Sequence, residues 1–310
     1  MYLATRSLKR RCAAGLVLAA AIALAACGGS ASGNPLTPAA SRGSVVVGSA
    51  NFPEDELLAQ IYAAALAATG VKVTDQFSIG SREVYYPEIE KGAITIIPEY
   101  NGALLTAAVD PSSTAVTTAQ VDAQLKARLP VSLEILSPSP AQDKDSVTAT
   151  QAFAARYHLS SIAQLKPLAR SMVFGAPPEF KTRADGQAGL WKHYGLRFKG
   201  FDALDESGPI TLKALTDGQV QAADVFTTTP QIITDHLVVL ADPESNFAAQ
   251  NVLPLVYRKG VNATIADTLD AISARLTTAG LRAMDKAIIV DHANYVTVAT
   301  AWLKAEGLPS

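Results

Sequence analysis

The chain has 310 residues, of which 49% are hydrophobic, with 26 basic against 28 acidic side chains. That apolar content excludes a disordered polymer, and the near balance of charge excludes a basic nucleic-acid surface. Only two cysteines occur, Cys12 and Cys27, and both lie ahead of the segments that can build a core.

The chain opens with a basic run, Arg6, Lys9, Arg10 and Arg11, followed by an apolar stretch from Ala13 to Ala26. The stretch is too short to span a bilayer, which takes about 20 residues. It ends Leu24-Ala25-Ala26-Cys27, before Gly28-Gly29-Ser30. This is the pattern of an export signal that resembles a bacterial lipobox. Residues 1–26 are expected to be removed, and Cys27 to carry lipid. Removal leaves 22 basic residues against 28 acidic, a net charge of −6. It also leaves no pair of cysteines for a disulfide or a thiolate metal site. Residues 27–43, rich in Gly, Ser, Ala and Pro, read as a flexible tether.

From Ser44 onward short apolar runs alternate with helical periodicity, which predicts an α/β architecture. Val45-Val46-Val47 reads as a strand. Pro53 to Thr69 reads as a helix with Leu57, Leu58, Ile61, Ala65 and Ala68 on one face. Pro53 suits its first turn, and Glu54-Asp55-Glu56 reads as a charge cluster at the positive helix end. Strands are predicted at Val71–Phe77 and at Ile94–Ile97, the latter stopped by Pro98. Between them lies a helix from Ser81 to Lys91, closed by Gly92. A helix from Gln120 to Leu129 and a strand from Val131 to Leu136 follow.

Ser137-Pro138-Ser139-Pro140 interrupts this order. Beyond it, Ser146–Thr150 reads as extended, and Ala152–Tyr157 and Ser161–Leu168 as helical. Ser161 with Gln164 forms a capping-box signature. Strands are expected at Met172–Phe174, Phe198–Leu204, Val220–Phe226, Leu237–Leu240 and Val252–Tyr257. Helices are expected at Ala184–Tyr194 and Ile210–Thr216, and only helices over Thr264–Glu306. Trp191 is expected to pack in the core, and one of Tyr85 and Tyr86 to be buried.

Two α/β units with a late return predict two lobes joined by crossovers near Pro140 and Asn251. Residues 44–142 with 249–310 would form the first lobe, and 143–248 the second. Ligands of such folds sit between the lobes, beyond the carboxyl ends of the strands. His158, His193, His236 and His292 are dispersed, without metal-ligand spacing. The chain has no G-x-S-x-G elbow, Walker loop or G-x-G-x-x-G. A non-enzymatic chain with neither metal nor cofactor is therefore expected.

Six landmarks occur in a characteristic order: Gly48-Ser49-Ala50-Asn51-Phe52, Gly80-Ser81-Arg82-Glu83, Pro98-Glu99-Tyr100-Asn101-Gly102, Asp145-Ser146, Pro177-Pro178-Glu179-Phe180 with Arg183, Asp185 and Gly186, and Ala223-Asp224-Val225-Phe226-Thr227-Thr228. On these the mature chain resembles the substrate-binding lipoproteins of osmoprotectant ABC importers, the glycine betaine, choline and proline betaine group. The resemblance implies a type II periplasmic-binding-protein fold. It also implies a monomer lipid-anchored at the outer membrane face through Cys27, with a small-molecule solute and an ABC permease as partners and no nucleic acid.

The family cages a quaternary ammonium in aromatic rings, because such a cation has no proton to donate and is attracted by ring faces. It holds a betaine carboxylate with cations and N–H donors. Carried over, Tyr100 matches a cage tyrosine, Phe226 falls at a second, and Arg183 is the retained cation. Asn51, Phe52, Ser81, Asp145, Thr148, Thr227 and Gln250 complete the expected site. Val147 stands in place of one cage tyrosine and Gln250 at a further ring position; Ala50 replaces a lysine and Ala103 a threonine. These departures leave two alternatives, a neutral polyol or hydroxylated aromatic ligand, and a sensing lipoprotein without transport.

Overall fold

A computed structural model describes residues 44–310. The export signal, the lipidation site Cys27 and the tether lie outside these residues. The described chain is α/β, with two five-stranded mixed sheets. Strands β1 (Val45–Gly48), β2 (Val73–Gln76), β3 (Ile96–Tyr100), β4 (Leu133–Ile135) and β10 (Val252–Tyr257) form the first, in the order β2-β1-β3-β10-β4. Strands β5 (Val147–Thr150), β6 (Val173–Ala176), β7 (Gly200–Ala203), β8 (Ala222–Asp224) and β9 (Leu237–Val239) form the second, in the order β7-β6-β8-β5-β9.

The two sheets share one plan. In each, three parallel strands are extended by an antiparallel strand, β10 beside β3 and β5 beside β8. Parallel strands are covered on both faces, so they read as continuous apolar runs. Val45, Val46 and Val47 fit that rule and are all buried. Helix Pro53–Ala68 packs its Leu57, Leu58, Ile61 and Leu66 into the first core, where each side chain is fully enclosed. Removing such a side chain from water contributes about 1.5–3 kcal/mol.

Several sequence expectations need correction. Pro98 does not stop β3, which runs on to Tyr100. Pro98 lies opposite Pro254 on β10, and β1 reaches β3 only at Ile96. On its β1 side, Pro98 therefore has no ladder partner that requires an N–H. A short helix, Asn101–Leu104, then runs into a π-helical turn at Leu105–Val109, where no helix was expected. Gly102 is needed here because a Cβ would collide with the Ala249 carbonyl. The capping box at Ser161 and Gln164 is present, but it opens a 3₁₀ turn, Ile162–Leu165, and not a longer helix. Trp191 is 53% exposed beneath the Arg197 guanidinium and is not core. Tyr85 is buried and Tyr86 half-buried. The C-terminal segment is helical as expected, with helices Ala263–Arg275, Thr278–Asp285 and Tyr295–Ala305 joined in part by a π-helical turn at Lys286–Val290.

Two segments cross between the sheets, from β4 to β5 and from β9 to β10. They run side by side and pair antiparallel at Gln142 and Asn251. The same pair of segments is cross-linked by side chains. Gln250 donates from Nε2 to Asp145 at 2.8 Å and accepts the Asp145 N–H at 3.3 Å.

Candidate functional site

The cleft between the sheets is built from strand ends. Beyond β1 the chain turns through Ala50 and Phe52. The last residue of β3 is Tyr100, and beyond β8 the chain presents Phe226. Three rings thus meet from both lobes. Phe52 lies 6.0 Å from Tyr100 and 5.2 Å from Phe226, edge-on to the latter. Tyr85 brings a fourth aromatic side chain from helix Arg82–Glu90 to the lining of this space.

A buried hub holds the rings. Glu99 is fully enclosed. It accepts both Nε and a terminal nitrogen of Arg82 at 2.9 Å, the Tyr85 hydroxyl at 2.7 Å and the Tyr100 N–H at 3.0 Å. The Tyr100 hydroxyl donates to Glu54 at 2.6 Å. Glu54 and Asp55 are therefore not solvated helix-start charges, as their sequence position suggested; both are buried. Asp55 folds back to accept the Ala50 N–H at 2.5 Å and fixes the turn after β1. Burial pushes the carboxyls of Glu54, Asp55 and Asp143 well above the usual range, and the neighbouring acids raise them further.

The lobes touch through polar pairs around the rings. Arg183 of the second lobe forms a bidentate ion pair with Glu83 of the first, each bond 3.1 Å. Burial works to raise the Glu83 carboxyl, but Arg183 overrides it and holds it at about 2. Thr106 donates to Asp185 at 2.7 Å, and Arg282 to the Thr227 carbonyl at 3.1 Å. Gly186, next to Asp185, sits against the Phe180 carbonyl, where a side chain has no room. The space enclosed by Tyr100, Tyr85, Arg82, Asp145 and Phe226 is about 40 Å³. That holds on the order of two or three waters, too little for a small organic solute.

Of the residues singled out from sequence, Phe52, Tyr100, Asp145, Arg183, Phe226 and Gln250 line this space together. The others lie outside it. Asn51 is exposed, and Ser81 caps helix Arg82–Glu90 with its backbone extended. Thr148 is enclosed within β5, its hydroxyl 2.9 Å from that of Ser146. Thr227 donates to Asp143 at 3.2 Å and accepts the Lys144 N–H, which ties the crossover down. Val147 is also enclosed within β5. Ala50 and Ala103 line the space as expected from their turns.

Sequence reasoning missed Arg82, Tyr85, Asp143 and Glu206, which complete the lining. Arg82 and Tyr85 are three apart on one helix, a spacing that places them on one face. That signal was readable, whereas Glu206 carries none.

A second and larger cavity adjoins the first, about 510 Å³ in volume. Phe52, Glu206 and Phe226 line both. Glu54, Leu212, Thr228, Asp285 and Ile288 line the larger one alone. Asp285 is buried, and burial with the Asp143 charge pushes it up to about 8.

A family model for the substrate-binding domain of ABC-type glycine betaine transport systems matches residues 43–305. A glycine-betaine-binding protein of Pseudomonas aeruginosa is 25% identical over 275 residues, covering 84% of this chain and 88% of its own. Among solved structures, a glycine betaine/carnitine/choline ABC transporter protein superposes with TM-score 0.65 at 17% identity, over 85% of this chain and 99% of that one. Apo YehZ from Escherichia coli superposes with TM-score 0.59 at 25% identity, over 85% and 99%. Lactococcal OpuAC, closed on glycine betaine, superposes with TM-score 0.60 at 15% identity, over 85% and 96%.

Proposed function

Since the chain belongs to the family of substrate-binding domains of ABC-type glycine betaine transport systems, we propose that it captures a quaternary-ammonium solute outside the cell and delivers it to an ABC permease. Lipid on Cys27 holds it at the outer membrane face. The chain acts by binding and performs no chemistry on the solute.

The observation that carries this reading is the meeting of Phe52, Tyr100 and Phe226 across the cleft. Ring faces attract a methylated ammonium by about 0.5–1 kcal/mol each when exposed, and about 2 or more when desolvated. Closing the lobes supplies that desolvation. The crossover pair at Gln142 and Asn251 is the hinge about which they move. Ligand that bridges both lobes stabilises the closed form and shifts the population toward it.

The charges around the rings favour one class of solute. Both lining arginines already hold carboxylates, Arg82 with Glu99 and Arg183 with Glu83. Neither is left to grip a betaine carboxylate. Asp143, Asp145 and Glu206 remain as acidic lining. A cation without a carboxylate, of the choline type, suits this balance better than the zwitterion glycine betaine.

Calorimetry with choline, carnitine and glycine betaine tests the reading. Choline is expected to bind tightest, and Phe226→Ala to weaken it about tenfold, the loss of roughly 1.4 kcal/mol of ring contact. Absence of heat and of thermal stabilisation with all three solutes would refute a quaternary-ammonium receptor.

A further inference from the structure

The 510 Å³ cavity beside the rings lies where the two lobes meet. Its first-lobe wall carries Glu54, from the first turn of helix Pro53–Ala68, and Asp285, from the end of helix Thr278–Asp285. Its second-lobe wall carries Thr228, with Ser207, Thr229, Gln231 and Asp235. Ser207 and Thr229 hydrogen-bond to each other at 2.9 Å. Glu54 and Asp285 are 4% and 1% exposed, and their carboxyls are hydrogen-bonded to each other. The Thr228 hydroxyl is within hydrogen-bond reach of both, and the Thr228 N–H donates to Asp143 at 2.9 Å. The joint between the lobes thus runs from two first-lobe acids to one second-lobe residue.

Two ionised carboxylates cannot hydrogen-bond to each other, because both only accept; one must carry a proton. The surroundings hold that proton in place. Tyr100 donates its hydroxyl to Glu54 at 2.6 Å. Asp55 on the same helix and Asp143 on the crossover add negative charge, and Tyr295 of the last helix faces Asp285 and Glu56. Glu206 and the exposed Asp235 are the acids of the second-lobe wall. The nearby cations are engaged elsewhere or face solvent. Lys213 is held by Asp217 at 2.7 Å and Lys286 by Asp291 at 2.8 Å, Arg282 donates to the Thr227 carbonyl, and His292 is exposed. Neither Glu54 nor Asp285 has an ion-pair partner among the described residues. Burial and the Asp143 charge push Asp285 up to about 8.

Parting the lobes withdraws Thr228 and admits water to both carboxyls. Water removes burial, the largest obstacle to ionising them. The open form therefore holds the shared proton less tightly than the closed form. We propose that closure of the lobes is proton-linked, with Glu54 and Asp285 as a shared-proton latch that shuts on Thr228 and releases it when the proton leaves. The latch does not depend on which solute the rings take. Closing takes up a proton, so closure is fully favoured below the pH at which the open form ionises and is lost as pH rises through about 8. The pair of Glu83 with Arg183 is ionised throughout this window, since Glu83 is held at about 2. Asp185, which accepts from Thr106, is also raised by burial and is a second acid between the lobes. A solute that binds only the closed form takes up the same proton, and pH and solute affinity are reciprocally coupled.

Choline is the probe, because it has no group of its own that titrates between pH 6 and pH 9. Calorimetry at pH 7 in phosphate and in Tris, whose heats of ionisation differ, should show uptake of about one proton per choline bound, and binding should weaken at least about tenfold from pH 6 to pH 8. Asp285→Asn should abolish both signals while His292 and Asp185 remain in place. Glu54→Gln leaves no second acid to share the proton; it should shrink both signals and serves if Asp285→Asn does not fold. Choline binding without proton uptake and with equal affinity at both pH values overturns the latch. So does a pH dependence that survives in whichever variant folds. If choline does not bind at all, the solute reading fails, and small-angle scattering of the unliganded protein decides the latch. The wild type should open between pH 6 and pH 9 and Asp285→Asn should not; an unchanged wild-type shape, or the same opening in the variant, overturns it.

Discussion

The two cavities of the cleft are neighbours with shared walls, yet they treat their polar groups in opposite ways. Around the smaller one Glu99 is saturated by Arg82, Tyr85 and the Tyr100 backbone, and Arg183 by Glu83. Around the larger one the buried acids Glu54 and Asp285 lie against each other and Thr228, with no ion-pair partner among the described residues. A saturated wall is rigid, and recognises through shape and ring faces. A wall of buried acids without a cation destabilises the protein as those acids ionise.

The saturated side is the easier to break. Glu99→Ala would strip the buried Arg82 guanidinium, 8% exposed, of its carboxylate partner. Breaking one member of a buried ion pair costs about 3–5 kcal/mol, and urea unfolding should show a loss of that order. A loss under about 1 kcal/mol would mean that the hub is not what holds the rings.

The side without a cation should respond in the opposite sense. The Asp285 carboxyl is raised to about 8 in the folded protein, against an ordinary value near 3.8. In the unfolded chain it ionises near pH 4, and in the folded chain it keeps its proton until about pH 8. The unfolded state thus loses its proton first, and rising pH across this window favours unfolding. Asp285→Asn removes that penalty. It should raise stability by on the order of a few kcal/mol at pH 8 and by little at pH 4. Thermal melts of both proteins at the two pH values measure the difference. An equal shift at both would show that the carboxyl is not a buried acid.

The smallest effect belongs to the contact between lobes. Glu83 is 44% exposed in its pair with Arg183, so solvent screens it and Glu83→Gln should cost no more than about 1 kcal/mol. That cost should shrink in high salt. The wild-type pair contributes above the ordinary carboxylate range and is lost only as pH falls through about 2. Small-angle scattering of Glu83→Gln without solute should show a more open average shape than the wild type. No change would leave closure to the rings and to Thr106 with Asp185.

Much of the fold was legible because its signals are local. The β-branched run at Val45–Val47, the apolar stripe of Leu57, Leu58 and Ile61, and the glycine at position 92 each follow from short-range sterics and periodicity. The errors fell where tertiary contacts override a local rule. Pro98 sits in a strand because of its pairing opposite Pro254. Trp191 is exposed although its type favours burial. Glu54 and Asp55 read as surface charges because acidic residues at a helix start usually are. Asp285 had a faint signal, an acid within the apolar spacing of Leu281, Met284 and Ile288, all of them buried.

Sequence by itself determined the α/β class, the family and the turns after β1, β3 and β8 that bring Phe52, Tyr100 and Phe226 to strand ends. Those depend on short motifs, whose backbone demands are encoded within a few residues. The tertiary structure alone decided what each ring faces and which carboxyls meet a cation. Arg82 and Glu99 are 17 residues apart, Tyr100 and Glu54 are 46 apart, and Glu83 and Arg183 are 100 apart. Whether a buried charge is satisfied depends on groups that only the folded chain brings within a hydrogen bond's reach.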